Sequence, residues 1–269
     1  MYVSVIVPAY KQEKSITKDI ENIYEAMSKT RWDFEVIVVV DGFLDKTFNE
    51  AKKLKKKNLI VTGYKSNYGK GFAVRYGMKL AKGDFIAFID SGMDINPNGI
   101  SMILEHMEWY NADIIVGSKW HLASKVNYPF IRKVYSWGYH FLIWLLFNMR
   151  IRDTQTGLKV YKRAVLEKVL PRLLIKRFAF DVEILAVAYY LGFNRIYEAP
   201  VEIDLNLKDS NFRDNLLFMN AEIRKILLDT LAVFYRLKIL RYYDDANKRK
   251  WIYDKELELR INTGEMTND

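Results

Sequence analysis

The chain contains no cysteine, and this absence rules out disulfide bonds and metal sites built from thiolates. It also fits a reducing compartment such as the cytoplasm. The three histidines, His106, His121 and His140, are scattered, which disfavours a histidine-rich zinc site. The apolar run "FLIWLLFNM" (141–149) is far shorter than the roughly 20 residues that a membrane-spanning helix needs. The first residues have the pattern of a strand and not of a signal peptide.

Half of the 269 residues are hydrophobic, so the chain can bury a full core. The net charge of +9 favours anionic partners: nucleic acid, anionic lipid or phosphorylated small molecules. The alternative is a solvated lysine-rich surface, of which "KKLKKKN" (52–58) is an example. No basic stripe is interleaved with aromatic residues, and this disfavours nucleic acid as the partner.

Strand and helix patterns alternate over the first 118 residues, which predicts an α/β fold with a mostly parallel sheet flanked by helices. Ligands of such sheets bind at the carboxyl ends of the strands. The segments "PAY", "SNYGKG" and "DSGMD" and the residue Asp41 should therefore meet at one edge. The predicted strands are 2–8, 34–41, 59–63, 84–90 and 112–118, and the predicted helices are 15–29, 45–57, 70–82 and 98–110.

The second half of the chain has a different organisation. A strand running into a helix is expected over 156–166, a helix over 178–192 that Gly192 closes, and a strand over 195–204 that Pro200 confines to a sheet edge. A long helical stretch or two helices should follow, to Tyr243, and the polar residues from Asp244 onward resemble disorder. The predicted divisions are a main α/β domain over 1–210, amphipathic helices over 211–243 and a polar tail over 244–269.

Gly69 and Gly71 bracket Lys70 at a predicted helix start, where exposed N–H groups and a cation suit a phosphate. The alternative is an ordinary glycine-containing turn between a strand and a helix. Asp41 ends an apolar strand, where its carboxylate could accept hydrogen bonds from a nucleobase or ribose. A helix cap or turn former is the alternative for Asp41.

Asp90 and Asp94 follow the fourth predicted strand. Hard carboxylate oxygens suit Mg²⁺ or Mn²⁺, and such ions usually lie between one or two carboxylates and the phosphates of a substrate. An ion there would neutralise a diphosphate leaving group. The alternative for Asp94 is a cap for the helix that follows Pro97.

Four motifs together resemble glycosyltransferase family 2 enzymes of the GT-A fold, which is a Rossmann-like fold. The resemblance covers roughly residues 2–205 and is strongest to the polyprenyl-phosphate hexosyltransferases of the dolichyl-phosphate mannose synthase type. The order and spacing of the motifs carry the resemblance. They read "VSVIVPAYKQEKSI", "FEVIVVVDGFLDKT", "SNYGKGFAVRYGMKLAKGDFIAFID" and "DTQTGLKVYKRAVL".

The resemblance implies roles for individual residues. Asp90 is the first acid of the family's DxD motif, Asp94 is a further metal ligand, and Asp153 and Gln155 orient the donor sugar as catalytic residues with Asp90. Gly92 stands where the family has the second acid, which is a departure. The implied contacts of the nucleotide sugar are Pro8, Tyr10, Gln12, Asp41, Asn67, Gly69, Lys70 and Gly71.

The implied acceptor is a polyprenyl (dolichyl) phosphate, and its phosphate is expected to contact Lys119, Arg132 and Ser136. Such a monoester is largely dianionic at neutral pH, so it is already a nucleophile and needs cationic positioning more than a general base. The family more often has arginine in place of Lys119, and lysine lacks the bidentate fork of arginine. A solvated turn is the alternative interpretation of Arg132 and Lys133.

Residues 216–240 combine a wide apolar face with cationic flanks, and 137–147 are rich in aromatic residues. Both patterns favour helices lying in a membrane interface, although a core helix or a dimer interface is an alternative. The expectation is therefore a peripheral protein on the cytoplasmic face of a membrane, without a spanning helix. The sequence leaves the oligomeric state open.

These features predict an inverting enzyme that transfers a hexose from GDP-mannose or UDP-glucose to polyprenyl phosphate, with Mg²⁺ or Mn²⁺ as cofactor. One alternative is a family 2 transferase with a saccharide acceptor. Another, suggested by Gly92, is a degenerate nucleotide-sugar-binding protein without catalytic activity. Asp181 and Glu183 in "FDVEIL" point to different sides of their helix, so they are not expected to form an acid/base pair.

Overall fold

The computed structural model of the chain describes residues 1–92, 94–127, 130–177, 179–204, 216–244, 249–255, 257 and 259–266. The strands are β1 (Tyr2–Ala9), β2 (Asp33–Asp41), β3 (Leu59–Tyr64), β4 (Phe85–Ile89), β5 (Ile114–Ser118), β6 (Lys125–Asn127), β7 (Leu158–Lys162), β8 (Ile196–Pro200), β9 (Glu202–Asp204), β10 (Arg249–Asp254) and β11 (Leu259–Met266). The helices are α1 (Ile16–Ser28), α2 (Thr47–Lys53), α3 (Lys70–Leu80), α4 (Gly99–Trp109), α5 (Phe130–Phe147), α6 (Arg163–Val169), α7 (Phe180–Tyr190) and α8 (Leu216–Phe234). A 3₁₀ turn at Leu170–Arg172 follows α6, and a π-helical turn at Tyr235–Ile239 extends α8.

Seven of these strands form one sheet in the order β3-β2-β1-β4-β7-β5-β8. The pairs β1–β2, β2–β3, β1–β4 and β5–β8 are parallel, and β7 runs antiparallel to both of its neighbours. The predicted mostly parallel sheet is confirmed, and the five predicted strands match the observed ones to within two residues at either end. The four predicted helices of the first half are likewise present as α1 to α4.

The strands bury side chains on both faces of this sheet. Along β1, Ile6 enters one core while Val5 and Val7 enter the other, because successive side chains of a strand point to opposite faces. Helices α3, α6 and α7 contribute to the first core, and α1 and α4 contribute to the second. Burial on both faces explains why the strands are near-continuous apolar runs.

Strand β7 positions the later part of the chain relative to the earlier part. Ile89, the last residue of β4, pairs with Leu158, the first residue of β7, so β7 begins at the edge of the sheet where β4 ends. The loop 152–157 that precedes β7 is thereby placed beside the residue that follows β4, which is Asp90. The strand pattern over 156–166 predicted a strand here but not its antiparallel direction.

Strand β8 lies at an edge of the sheet, which confirms the position expected from Pro200. The predicted strand 195–204 is divided at Val201 into β8 and β9, and β9 pairs with β6 in a separate two-stranded sheet. Gly192, with a φ of +93°, follows the C-terminus of α7 and closes that helix as predicted.

The interpretation of the residues from Asp244 onward as a disorder-like tail is wrong for β10 and β11. These strands form an antiparallel pair, with Ile252 opposite Ile261, and the intervening Leu257 is buried. The reason is local: aromatic and β-branched residues such as Trp251 and Ile261 favour strands even where the overall composition is polar.

Helix α3 packs closely on β1 at Gly77, and this contact can be tested. A Cβ at Gly77 would collide with Cγ2 of Ile6, so we expect Gly77→Ala to lower the free energy of unfolding by about 1–3 kcal/mol. Gly138→Ala in α5 is the matched control, because a Cβ there meets no atom within 4 Å. The control should be neutral or stabilising by about 0.5–1 kcal/mol, since alanine is the better helix former. Urea unfolding measures both, and equal stabilities of the two variants would contradict the close approach of α3 to β1.

Candidate active site

A cavity of about 580 Å³ opens at the carboxyl edge of the sheet, where the predicted segments were expected to meet. Residues in or just after the carboxyl ends of β1, β2, β3 and β4 line it, so the predicted convergence is observed. Arg177 also lines the cavity, and no sequence motif pointed to this residue. The full lining is Pro8, Ala9, Tyr10, Gln12, Asp41, Asn67, Gly69, Lys70, Ala73, Asp90, Ser91, Asp94 and Arg177.

The carboxylate of Asp41 braces the loop that follows β3. Its Oδ1 accepts a hydrogen bond from the N–H of Tyr68 at 2.8 Å, and its Oδ2 accepts one from the N–H of Gly69 at 2.9 Å. The role of turn former, which was the alternative for Asp41, therefore has direct structural support. Because Asp41 also lines the cavity, its remaining acceptor capacity is available to a ligand that binds there.

The two glycines that flank Lys70 have different roles. Gly69 adopts a φ of +102°, and a Cβ there would lie 2.6 Å from the carbonyl oxygen of Lys176, so only glycine fits at the entry to α3. Gly71 does not line the cavity, although it was expected to contact the nucleotide. A Cβ at Gly71 would lie 2.5 Å from Cβ of Phe180, so this glycine lets α3 and α7 approach each other.

Lys70 places its ammonium group between two carboxylates. Its Nζ lies 2.9 Å from Oδ2 of Asp90 and 3.3 Å from Oδ2 of Asp181. Burial alone would lower the pKa of Lys70, but the two carboxylates hold it above its ordinary value. Lys70 therefore carries a fixed positive charge at the floor of the cavity.

Asp181 is in turn paired with a lysine of the core. Lys159 in β7 is fully buried, and its Nζ lies 2.6 Å from Oδ1 of Asp181 and 2.5 Å from the carbonyl oxygen of Thr156. Burial lowers the pKa of Lys159, and Asp181 opposes that effect. Sequence analysis did not single out Lys159, although a lysine inside the buried strand "LKVYK" was a signal that a buried anion exists.

Asp90 is held by the loop that precedes β7. Its N–H donates to the carbonyl oxygen of Gly157 at 2.9 Å, and a Cβ on Gly157 would collide with Oδ2 of Asp90. A side chain at position 157 would therefore displace the carboxylate. Gly157 is needed for the position of Asp90, which the motif "DTQTG" alone did not indicate.

Asp90 and Asp94 both line the cavity, and their carboxylate oxygens are the hard donors that Mg²⁺ and Mn²⁺ prefer. Among the residues that the structure describes, no group of three or more His, Cys, Asp or Glu side chains could hold a metal ion. The donor set therefore fits an ion that completes its coordination with water and the oxygens of a ligand, and it does not fit a cage made by the protein alone.

Gly92, the departure from the family's DxD motif, has a physical explanation in its backbone. Its φ is +109°, a conformation that L side chains rarely adopt, and its N–H donates to Oδ2 of Asp19 at 3.0 Å. Space is not the obstacle, since a Cβ at this position would meet only Nε2 of Gln12, at 3.6 Å. The loop conformation, and not crowding, favours glycine over aspartate here.

The expected acceptor residues are only partly described. Nζ of Lys119 lies 3.1 Å from Oδ2 of Asp153, and Oγ of Ser136 accepts a hydrogen bond from Nε1 of Trp120 at 3.2 Å. Arg132 lies in the first turn of α5, and its side chain is outside the described part of the structure. Lys119 is therefore oriented by a carboxylate, which sequence analysis did not predict.

Asp153 makes several of the polar contacts of the loop 152–157. It is buried, and it accepts hydrogen bonds from the N–H of Lys119 at 3.0 Å and from the hydroxyl of Thr156. Burial alone would raise the pKa of Asp153, but the Lys119 ammonium and these hydrogen bonds together hold it below its ordinary value. Nearby, Nε2 of Gln155 is buried and has no hydrogen-bond partner among the described residues.

Asp181 and Glu183 have separate functions, as their spacing on α7 predicted. Glu183 accepts hydrogen bonds from the N–H groups of Leu174 and Ile175 and from the hydroxyl of Tyr243 at 2.7 Å. These contacts hold the loop after the 3₁₀ turn and the segment that follows α8. Glu183 therefore stabilises the fold, whereas Asp181 reaches Lys70 at the cavity.

Comparison with known proteins identifies the family of the chain. A family model described as glycosyl transferase family 2 matches residues 4–170, which is more than half of the chain. The chain belongs to glycosyl transferase family 2. This confirms the family inferred from the four motifs, and the cavity residues discussed above from β1 to the start of β7 lie inside the matched region.

The curated relatives of this family 2 protein include two dolichyl-phosphate beta-glucosyltransferases. The one from Drosophila melanogaster is 35% identical over 201 residues, which are 69% of this chain and 62% of the relative. The one from Homo sapiens is 30% identical over 203 residues, which are 70% of this chain and 63% of the relative. The chain thus matches less than two thirds of the length of either relative.

A solved structure with the same architecture is the glucosyl-3-phosphoglycerate synthase from Mycobacterium tuberculosis, in complex with Mn²⁺, UDP-glucose and phosphoglyceric acid. It matches with a TM-score of 0.65 at 18% identity and covers 94% of this chain and 84% of that one. Such a likeness establishes the fold alone, and the family 2 chain has the GT-A fold that the motifs predicted.

The ion pair between Lys119 and Asp153 makes stability depend on pH in a defined direction. Because the pKa of Asp153 is lowered in the folded state, its charge contributes stability that is fully present above the unfolded pKa of about 3.9. That stability is lost as the pH falls through the folded-state pKa. We expect Asp153→Asn to be less stable than wild type at neutral pH, with the difference shrinking below about pH 4.

Urea unfolding of both proteins from about pH 7 down to about pH 3 measures this difference. Asp33→Asn, at an exposed position where β2 begins, is the control and should leave the pH dependence unchanged. A difference between wild type and Asp153→Asn that stays constant over the whole pH range would show that the Asp153 charge is not responsible.

Proposed function

We propose that this chain transfers glucose from UDP-glucose to a polyprenyl (dolichyl-type) phosphate, with inversion at the anomeric carbon and with the help of Mg²⁺ or Mn²⁺. The observation that carries the proposal is the single edge of the sheet at which three features meet. These are the cavity with Asp90 and Asp94, the cation Lys70, and the loop 152–157 with its Lys119–Asp153 pair. The similarity to dolichyl-phosphate beta-glucosyltransferases supports the choice of donor sugar and acceptor.

The donor half of the proposal assigns the nucleotide sugar to the 580 Å³ cavity. Pro8, Tyr10 and Asp41 are expected to contact the uridine, and Lys70 is expected to contact the diphosphate. Asp90 and Asp94 would hold the divalent ion, which when bound neutralises charge on the diphosphate leaving group. The Mn²⁺ and UDP-glucose in the structurally similar synthase support this combination of donor and ion.

The donor sugar is expected to lie beside the loop 152–157. The amide N–H₂ group of Gln155 in this loop is buried and lacks a partner among the described residues, and it could donate to a sugar hydroxyl if the side chain turned toward the cavity. Gly157 keeps the carboxylate of Asp90 in place through the backbone hydrogen bond between them. These contacts support the proposal that the loop orients the donor sugar, which is the role that the resemblance implied for Asp153 and Gln155.

The acceptor half requires positioning and not proton abstraction, because a lipid phosphate is largely dianionic at neutral pH. Lys119, Arg132 and Ser136 are proposed to bind this phosphate, and Asp153 keeps the Lys119 ammonium near the loop that orients the sugar. A phosphate oxygen then forms a bond to C1 of glucose as the bond from C1 to UDP breaks. A single in-line displacement of this kind inverts the configuration at C1.

A membrane surface is the proposed location of the acceptor, on its cytoplasmic side. Helices α5 and α8 pack together through Tyr139 and Thr230, whose hydroxyls are 2.8 Å apart, and through the rings of Phe147 and Phe234. Among the described residues, no helix is long and apolar enough to cross a membrane. The outer sides of the pair instead expose large apolar residues: Tyr135, Trp137, Phe141, Trp144, Leu145, Leu228, Leu231, Tyr235, Ile239 and Leu240.

Cationic side chains accompany this apolar surface. Arg224, Lys225 and Lys238 are exposed along α8 and the π-helical turn, and Arg241 is exposed just beyond it. Each basic residue near an anionic membrane surface contributes about 1 kcal/mol of attraction. The combination of exposed aromatic residues and lysine or arginine is typical of helices that lie in a membrane interface.

A second candidate function is nucleotide-sugar binding without transfer, and Gly92 favours it. One carboxylate of the family's DxD motif is absent, and the backbone conformation at Gly92 disfavours its restoration. Asp90 is also engaged by Lys70. This alternative predicts that UDP-glucose binds and that no sugar is transferred even at saturating Mn²⁺.

The transfer reaction is tested by incubating the chain with radiolabelled UDP-glucose, Mg²⁺ or Mn²⁺ and polyprenyl phosphate. We expect label in the organic phase with the phosphorylated lipid and none with the unphosphorylated polyprenol. Asp90→Asn should reduce the rate by at least about 10-fold, since the ion loses a ligand. Asp33→Asn, far from the cavity at the opposite end of its strand, is the matched control.

Three outcomes of this assay would contradict the proposal in different ways. Faster transfer from GDP-mannose than from UDP-glucose would show that GDP-mannose is the donor. Label found on a soluble saccharide and not on the lipid would show that the acceptor is a saccharide. Binding of UDP-glucose without any transfer would favour the non-catalytic alternative.

The membrane surface is tested by sedimentation with vesicles of neutral lipid containing an anionic phospholipid. Trp137→Ser, which removes an indole that is 63% exposed on α5, should weaken vesicle binding several-fold. Trp109→Ser on α4 removes an indole that is 75% exposed, from a helix that packs on the other face of the sheet. The Trp109 variant should bind vesicles like wild type, and equal losses in both variants would exclude α5 as the contact surface.

A further inference from the structure

Four charged side chains alternate in sign from the core to the cavity. Lys159 in β7 contacts Asp181 in α7 at 2.6 Å, Asp181 contacts Lys70 at 3.3 Å, and Lys70 contacts Asp90 at 2.9 Å. Lys159 and Asp181 are 0% and 2% exposed, whereas Lys70 and Asp90 are partly exposed. The series therefore connects a buried ion pair to the carboxylate that is assigned to the metal.

Lys70 is shared by two carboxylates that differ in their surroundings. Asp181 is enclosed and already carries Lys159 on its other oxygen, so it has no access to a ligand in the cavity. Asp90 lines the cavity and can turn toward a ligand. An ammonium group has three donors, so Lys70 can retain Asp181 while it gives up Asp90.

We propose that Asp181 is a positioning residue that holds Lys70 in place when Asp90 turns its carboxylate to a divalent cation. The proposal rests on the proposed function, because it concerns the binding of the ion and the diphosphate at that site. Without Asp181, Asp90 is the only carboxylate left to Lys70 in this series. The lysine then competes with the cation for the same oxygen.

The negative charge of Asp181 also favours binding of the cation. A carboxylate one lysine away from the ion attracts it through a poorly screened interior, so its removal weakens cation binding. Removal of the Lys159 charge has the opposite electrostatic effect, because a nearby cation is lost. The two partners of one buried ion pair should therefore affect the binding of the ion differently.

A purely structural role makes a different prediction. If the Lys159–Asp181 pair only stabilises the fold, loss of Asp181 leaves Lys159 buried and unpaired, loss of Lys159 leaves Asp181 paired with Lys70 alone, and in both variants ligand affinity falls only together with stability. The contrast between the two partners separates positioning from structure. A measurement of stability alone does not separate the two roles, because both roles predict some loss of stability.

The experiment uses the full chain and measures UDP binding by calorimetry with and without Mn²⁺. The variants are Lys159→Met and the double variant Lys159→Met/Asp181→Asn, which removes both charges and leaves no unpaired buried ion. We expect the Mn²⁺-dependent gain in UDP affinity to fall on the order of 10-fold in the double variant. In Lys159→Met it should stay within about 2-fold of wild type or rise.

Glu183→Gln is the matched control, since Glu183 is an equally buried carboxylate on the same helix that contacts the backbone at Leu174 and Ile175 and not Lys70. It should lower the unfolding temperature and leave the Mn²⁺-dependent gain unchanged. Uridine, which lacks phosphates, should bind all variants equally. That result would show that the loss in the double variant concerns the ion and the diphosphate.

Two results would overturn the inference, and they are distinguishable. If wild type shows no Mn²⁺-dependent binding of UDP, both the proposed function and this inference are wrong. If wild type shows it and the double variant binds UDP as Lys159→Met does, the inference alone is wrong. The second result would leave Lys159 and Asp181 with a structural role only.

Discussion

The antiparallel insertion of β7 between β4 and β5 is the constraint on which the site depends. It starts β7 at the edge where β4 ends, and the hydrogen bond from the Asp90 N–H to the Gly157 carbonyl joins the two there. The loop 152–157 can then hold Lys119 through Asp153 and leave room for the Asp90 carboxylate at Gly157. A parallel β7 would begin at the far edge of the sheet, and the donor and acceptor groups would have no common loop between them.

Much of the site was predictable because parallel strands bring their carboxyl ends to one edge regardless of sequence detail. That rule placed Asp41, Lys70 and Asp90 together, and the structure confirms that they line one cavity. The rule does not predict contacts between side chains of strands and helices that are distant in sequence. The pairing of Lys159 with Asp181 depends on how α7 packs against β7, which periodicity does not reveal, and the composition of the last residues concealed the strands β10 and β11.

The resemblance to the DxD motif implies that Gly92 replaces a metal ligand, and the structure gives a physical reason for glycine at this position. A loop with a φ of +109° that donates its N–H to buried Asp19 is arranged around a glycine. Asp19 has a second oxygen, Oδ1, that is buried without a hydrogen-bond partner among the described residues, and burial raises the pKa of Asp19. The loop at Gly92 is therefore held by a polar contact with Asp19.

In the proposed function, a site with two carboxylates makes binding of the ion depend on binding of the donor nucleotide sugar. Asp90 and Asp94 can supply only part of the coordination of Mg²⁺ or Mn²⁺, so the remaining positions fall to water and the diphosphate. Binding of the ion and binding of the nucleotide are then thermodynamically linked, and each must raise the affinity of the other by the same factor. If Gly92 replaces an acid, as the resemblance implies, the site lacks negative charge that would attract the ion alone and repel the diphosphate, and this favours the linked mode. In the proposed function, the ion and the nucleotide sugar therefore bind in the cavity cooperatively, and Lys70 contacts the diphosphate.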